Sequence, residues 1–236
     1  MTPDGTPSDG TPPEGTDPDG TTRRPASAPV TLDIDELLSR TPTVRRRLDL
    51  TRPVSRTLLT QCLQLALHAP NGGNRQSWRF LVIDDPETKK AVAHYYKKAS
   101  EAYLAATPPS AMSERAVAGV RYLADHLDQV PALVLAGIRG RLSHEATLAQ
   151  QSSFFGSVYP ALWSFMLAAR SRGLGAALTT VHLAYEREVA ELVGIPSDEL
   201  TQVALVAVGH TTQGPDFRRT PRQPLDEVVF FNRWPR

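Results

Sequence analysis

Cysteine is almost missing from this chain: 236 residues contain one, Cys62. A lone thiol excludes an intrachain disulfide and a cysteine-based metal cluster, and its aliphatic neighbours predict a buried, neutral thiol rather than a redox nucleophile. Long apolar runs are missing too. Stretches such as Ala132 to Ile138 fall far short of the roughly 20 residues that span a bilayer, and no signal-peptide pattern opens the chain, so no membrane partner and a cytoplasmic address are expected. Charge of one sign is scarce. The 26 basic and 25 acidic residues leave +1, without the surplus that phosphate-backbone binding requires, so no nucleic-acid partner is expected either.

Side-chain catalytic signatures are equally absent. The chain contains no HExxH, no GxxxxGK[ST], no GxSxG and no DxDxDG, and its six histidines are scattered. Ser143 and His144 are adjacent, which does not place a hydroxyl against an imidazole. Gly173, Leu174 and Gly175 form a GxG without the rest of a dinucleotide fingerprint and without a preceding strand. If the protein is an enzyme, its reactive atoms belong to a bound cofactor, and the protein supplies anchors, amide contacts and a dry cavity.

What is present is one soluble globular domain, with 41% hydrophobic and 22% charged residues. Residues 1–30 are Pro, Gly, Thr, Ser and Asp in loose repeats, too poor in apolar side chains to offset the entropy of ordering, and are expected to be a disordered tail before a domain over 31–236. Within the domain, Asp35 to Arg40 reads as a helical turn. Ser55 caps a helix whose apolar face is Leu58, Cys62, Leu65 and Ala69. Trp78 to Ile83, Ala132 to Ile138 and Val203 to Val208 read as buried strands. Asp85 and Pro86 start a helix that Thr107, Pro108 and Pro109 break. The helix expected from about Ser110 to Leu127 has a diluted apolar face and is predicted to pack loosely as an excursion over a site. Arg139 to Ser153 reads as a polar link, Ser157 onward as a strong helix stopped by Gly173, Leu174 to Val181 as a short strand or an extended loop, and Glu186 to Val193 as a short helix. The apolar end with Val228, Val229, Phe230, Phe231 and Trp234 is expected to pack on this subunit or on a partner.

Two stretches carry candidate chemistry. Between the Cys62 helix and the Trp78 strand lie Pro70, Asn71, Gly72, Gly73, Asn74 and Gln76: glycines that let a ligand approach the backbone, and amides that can read a polar heterocycle without adding charge. An ordinary helix-to-strand turn has the same composition. Upstream, Arg45, Arg46 and Arg47 stand in a row; such a run is either a solvated face or a phosphate clamp, since guanidinium matches phosphate oxygens bidentately.

Four stretches in order, TVRRRLD (Thr43 to Asp49), APNGGNRQSWRFLVIDD, YPALWSFMLAARSRGLGAALTT (Tyr159 to Thr180) and VALVAVGH with the basic RRTPRQPLDEVV (Arg218 to Val229), resemble the FMN-dependent nitroreductases over about residues 40 to 230. The resemblance implies an α+β fold, a three-layer α-β-α sandwich with a central, mainly antiparallel sheet and a helical excursion over the site. It also implies a homodimer formed through a long helix, with a C-terminal extension wrapping the partner. It implies FMN as cofactor, its phosphate held by Arg45, with Arg46 beside it, and by Arg222. Pro70, Asn71, Gly72, Asn74 and Gln76 would meet the isoalloxazine edge from the other subunit, with Trp78 completing a QxW. The backbone of Leu178, Thr179 and Thr180 would lie along the flavin's reactive side. Two departures stand out: Pro42 and Thr43 where the family often has a cation or serine, and Trp163 and Ser164 where many members have Gln-Asn.

The resulting expectation is an oxidoreductase passing hydride from NAD(P)H through FMN to a small electron acceptor such as a nitroaromatic or quinone, with no catalytic side chain and no metal. Two other readings share the fold: a protein that sequesters flavin without turnover, and a flavin-dependent dehydrogenase of a biosynthetic intermediate.

Overall fold

The computed structural model describes residues 33–196, 198–212 and 217–235; the tail expected over 1–30 lies outside them. Four strands form one antiparallel sheet: β1 (Trp78–Ile83), β2 (Ala132–Arg139), β3 (Leu174–Thr179) and β4 (Leu200–His210), in the order β1-β2-β4-β3. The central pair is apolar on both faces because both faces are covered, and side chains alternate between them. Ala132, Val134, Ala136 and Ile138 point to a cluster with α2 (Arg56–Ala66) and α6 (Tyr159–Ser171). Leu133 and Leu135 point to a second cluster with α3 (Pro86–Ala106), α4 (Glu114–His126) and α7 (Glu186–Val193). The result is the expected three-layer α-β-α sandwich. The remaining helices are α1 (Ile34–Ser39) and α5 (Leu148–Gly156).

Local signals account for most boundaries. Ser55, Asp85, Ser113 and Thr147 each accept a hydrogen bond from a backbone N–H of the first helical turn that follows. Gly194 ends α7 in the left-handed conformation, at φ +71°.

Three expectations need correction. The α2 core face is Leu59, Cys62 and Ala66, while Leu65 is 46% exposed; burial against α6 selects a stripe rotated from the one inferred by spacing. The polar link after β2 contains α5, opened by a capping box in which Thr147 and Gln150 bond each other's backbone N–H, a local signal stronger than the weak apolar periodicity. The α4 helix does not pack loosely. Leu123 is 1% exposed and packs with Ala124 in the α3-side cluster, and Val120 is buried; its charged residues lie on the remaining face.

Candidate functional site

The arginine segment is fastened to the sheet. The Val44 N–H donates to the Ala176 carbonyl on edge strand β3 (2.8 Å), Asp49 N–H to His210 O (2.8 Å), and Leu48 bridges Thr211. This approach depends on Gly175: a Cβ there would stand 2.9 Å from Val44 Cγ1 and 2.9 Å from Thr211 Cγ2. The GxG is therefore structural at both ends, since Gly173 takes φ +77° to leave α6 and Gly175 admits the Val44 segment. Arg45 is half-buried, with its stem in reach of Gly119 on α4, and makes no side-chain hydrogen bond or ion pair with any described residue.

On the same strand, Leu178 packs on the α2/α6 side, while Thr179 faces α3, where its Oγ1 accepts from Tyr96 Oη and from the Val181 N–H (both 3.4 Å). Thr180 follows, exposed, and starts a 3₁₀ turn over Val181–Tyr185. That turn buries His182 completely with neither ring nitrogen hydrogen-bonded, and burial pushes its pKa down to about 4. Burial likewise pushes the Cys62 thiol up to about 11, so it is the neutral core thiol expected.

The Pro70–Gln76 loop lies elsewhere. It enters β1, the opposite edge strand, three interstrand spacings or roughly 14 Å across the sheet from β3. By register it stands at the same end as Thr180, because Trp78 pairs with Ile138, Arg139 with Leu200, and Thr179 with Leu205. One chain thus fastens the Arg45 segment to β3 through Val44 and Ala176, two residues before Leu178, and leaves Pro70, Asn71, Gly72, Asn74 and Gln76 on the far edge. The loop is strained: Gly73, Asn74 and Gln76 have φ of +59°, +51° and +49°. Its amides are partly committed to holding that shape, with Asn71 Oδ1 accepting the Gln76 N–H (2.9 Å) and Asn74 Oδ1 accepting from Gln76 Nε2 (3.3 Å). Gly72 seats the loop on α5. Its N–H donates to Ser157 Oγ (3.0 Å), and a Cβ there would stand 2.8 Å from Ser153 Oγ.

Arg222 sits on an exposed C-terminal segment and donates only to the Pro221 carbonyl among described residues (3.3 Å). Sequence reasoning missed the anchor of that segment. Phe217, 3% exposed, has two guanidinium groups over its ring, Arg47 at 4.1 Å and Arg170 at 4.4 Å from the ring centroid. An aromatic residue alone among polar neighbours gives no periodic signal; only the pairing with buried Arg170 reveals it. Beyond it the tail is largely uncovered on this chain, with Leu225 73%, Phe231 84% and Trp234 80% exposed.

The nitroreductase family model matches residues 39–210. The chain belongs to the nitroreductase family. It is 29% identical over 194 residues to an NADH dehydrogenase of Thermus thermophilus, covering 76% of this chain and 87% of that protein. Among solved structures, this nitroreductase-family chain superposes on an iodotyrosine deiodinase bound to FMN and 3-iodo-L-tyrosine with a TM-score of 0.65, at 24% identity, covering 85% of this chain and 99% of the other. A mutant of an FMN- and NADPH-dependent nitroreductase from Sphigopyxis sp. strain HMH gives 0.64 at 22% identity, covering 86% of this chain and all of that one. No helix among the described residues is long and apolar enough to cross a membrane.

Proposed function

We propose that this chain is an FMN-dependent oxidoreductase of the nitroreductase family, cytoplasmic and active as a homodimer. The observation that carries the reading is Arg45: a half-buried guanidinium with no partner among the described residues, pinned by the Val44–Ala176 hydrogen bond to the strand that ends in Leu178–Thr180. A cation held in that way suits a phosphate, and the segment beside it presents backbone rather than charge, as a neutral heterocycle requires. The chemistry FMN brings is hydride exchange, from NAD(P)H to a small electron acceptor such as a nitroaromatic or a quinone.

The chain's own part is binding and placement. Arg45 and Arg222 hold the phosphate, the Leu178–Thr180 backbone lines the reactive side, and no side chain need move a proton. The Pro70–Gln76 loop belongs to the site of the other protomer, because its own edge of the sheet is roughly 14 Å from β3. Association would also cover the exposed apolar side chains, Tyr159 and Trp163 on α6 (39% and 40% exposed) and Phe231 and Trp234 of the tail. Trp163, where many relatives have a glutamine, therefore lies on the surface assigned to the interface.

Purified protein is expected to be yellow, with a flavin that bleaches under anaerobic NADH or NADPH and recovers on addition of a quinone. A colourless protein that FMN does not reconstitute refutes the assignment. Arg45→Ala combined with Arg222→Ala is expected to weaken FMN binding at least tenfold, roughly the loss from one charge-assisted phosphate contact. Unchanged affinity would place the phosphate elsewhere.

A further inference from the structure

On the side of the sheet away from β3, a cavity of about 810 Å³ is walled by the Pro70–Gln76 loop, the end of β2, the link that follows it and α5. It shares Asn71 and Gly72 with the loop, and its volume suits a nucleotide-sized ligand.

The charged side chains on this wall are three guanidinium groups, Arg75, Arg139 and Arg141, and one carboxylate, Glu145. Arg141 is spent on Glu186, whose two carboxylate oxygens it meets at 2.9 and 2.8 Å from behind the wall. Arg75 and Arg139 are not: neither side chain makes a hydrogen bond or ion pair with any described residue, Glu145 included. With Glu186 counted against Arg141 and Glu145 against one of the others, a positive charge is left over, and both free cations face the cavity.

The backbone keeps the two free arginines close. The Arg139 N–H donates to the Ser77 carbonyl (2.9 Å), which sets the end of β2 beside the loop that carries Arg75 two positions earlier. Leu142 and Phe154, both half-buried, give the same cavity an apolar wall on which a flat base can lie. A ligand that meets a flavin at the loop and carries a base and an anionic group into this cavity has the chemistry of a nicotinamide dinucleotide. Its two forms differ by one group, the phosphate on the adenosine 2′ oxygen, and the planar fork of arginine is matched to phosphate oxygens.

We propose that Arg75 and Arg139 are specificity-determining residues that bind the adenosine 2′-phosphate of the donor, so that this chain uses NADPH in preference to NADH. The proposal rests on the reductase reading and on the loop's place beside the flavin of the other protomer.

Steady-state reduction of a quinone with each donor tests it. The ratio of kcat/KM for NADPH to that for NADH is expected to be at least ten, roughly the worth of one charge-assisted contact. Arg75→Gln combined with Arg139→Gln is expected to lower that ratio at least tenfold, through a higher KM for NADPH. A second measurement needs no turnover: adenosine 2′,5′-bisphosphate, titrated calorimetrically, should bind at least tenfold more tightly than adenosine 5′-monophosphate, and the double variant should lose that advantage. Equal use of the two donors, a preference for NADH, or a ratio that the double variant leaves unaltered overturns the proposal. A double variant purified without FMN overturns it too, by assigning the arginines to the cofactor. A protein whose flavin neither donor reduces refutes the reductase reading, and the bisphosphate titration then decides by itself whether the two arginines bind a 2′-phosphate.

Discussion

The Phe217 ring stacks under the Arg47 guanidinium at 4.1 Å, and this contact ties the C-terminal segment to the arginine run at the other end of the chain. Arg170 also lies over the ring, at 4.4 Å, and donates through Nε to the Arg40 carbonyl (3.2 Å), so helix α6 and both terminal segments share one anchor. Phe217→Ala is expected to cost about 3–5 kcal/mol of stability, the usual range for a buried aromatic. Phe217→Leu, which keeps apolar volume without a π face, should recover most of that loss yet still bind FMN more weakly than wild type. Urea unfolding and flavin titration of the pair separate packing from positioning, and wild-type FMN affinity in both variants would show that Arg222 needs no such anchor.

Gly175 sets how closely the arginine segment lies on β3. A methyl group there would meet Val44 Cβ at 3.0 Å as well as its Cγ1 at 2.9 Å. Gly175→Ala is therefore expected to push Val44 off the strand and weaken the bond to Ala176, with a cost of about 1–3 kcal/mol from overpacking and a lower FMN affinity. Adding Val44→Ala should restore part of both. Failure of that rescue, measured as a double-mutant cycle, would locate the strain at Thr211 instead.

Removal of residues 228–236 takes away Phe231 and Trp234, the most exposed large aromatic side chains among the described residues. Sedimentation velocity is expected to show dissociation of the proposed dimer toward monomer, and FMN affinity should fall with it, since the proposed placement of the Pro70–Gln76 loop needs the second protomer. A truncated protein that stays dimeric would remove the tail from the interface.

His182 predicts an acid-sensitive fold. Its folded pKa, about 4, lies below the ordinary 6.5, so the folded state stays neutral while the unfolded chain takes up a proton as pH falls. Stability from this residue is complete above about pH 6.5 and is lost below it, amounting to about 2 kcal/mol at pH 5 and about 3 kcal/mol at pH 4. Unfolding free energies of wild type and His182→Leu between pH 7 and 4 are expected to diverge by that amount, with the wild type steeper. Parallel curves would show that the imidazole is not the group responsible.

Much of this architecture was legible in one dimension because its causes are local. Asp85 and Pro86 open α3, Gly173 closes α6, and the unbroken apolar runs of β2 and β4 belong to strands covered on both faces. The α5 helix escaped because its signal is a pair of caps, Thr147 and Gln150, rather than an apolar stripe. Arg45 and the Leu178–Thr180 segment were picked out by resemblance to a family, and the fold ties the arginine segment to that strand through Val44 and Ala176.

Sequence alone thus determined most of the elements, α5 excepted, together with the α+β class and the family, since periodicity and motif order are properties of neighbours along the chain. Only the tertiary structure decided which cations share a neighbourhood. It set the Arg45 segment beside β3 through Gly175, placed Arg46 and Arg121 on one cavity along α4, hung the Arg222 segment on Phe217, and put the Pro70–Gln76 loop on the far edge of the sheet. These relationships join residues tens to more than a hundred positions apart, and strand order and side-chain direction, which no local pattern encodes, fix them.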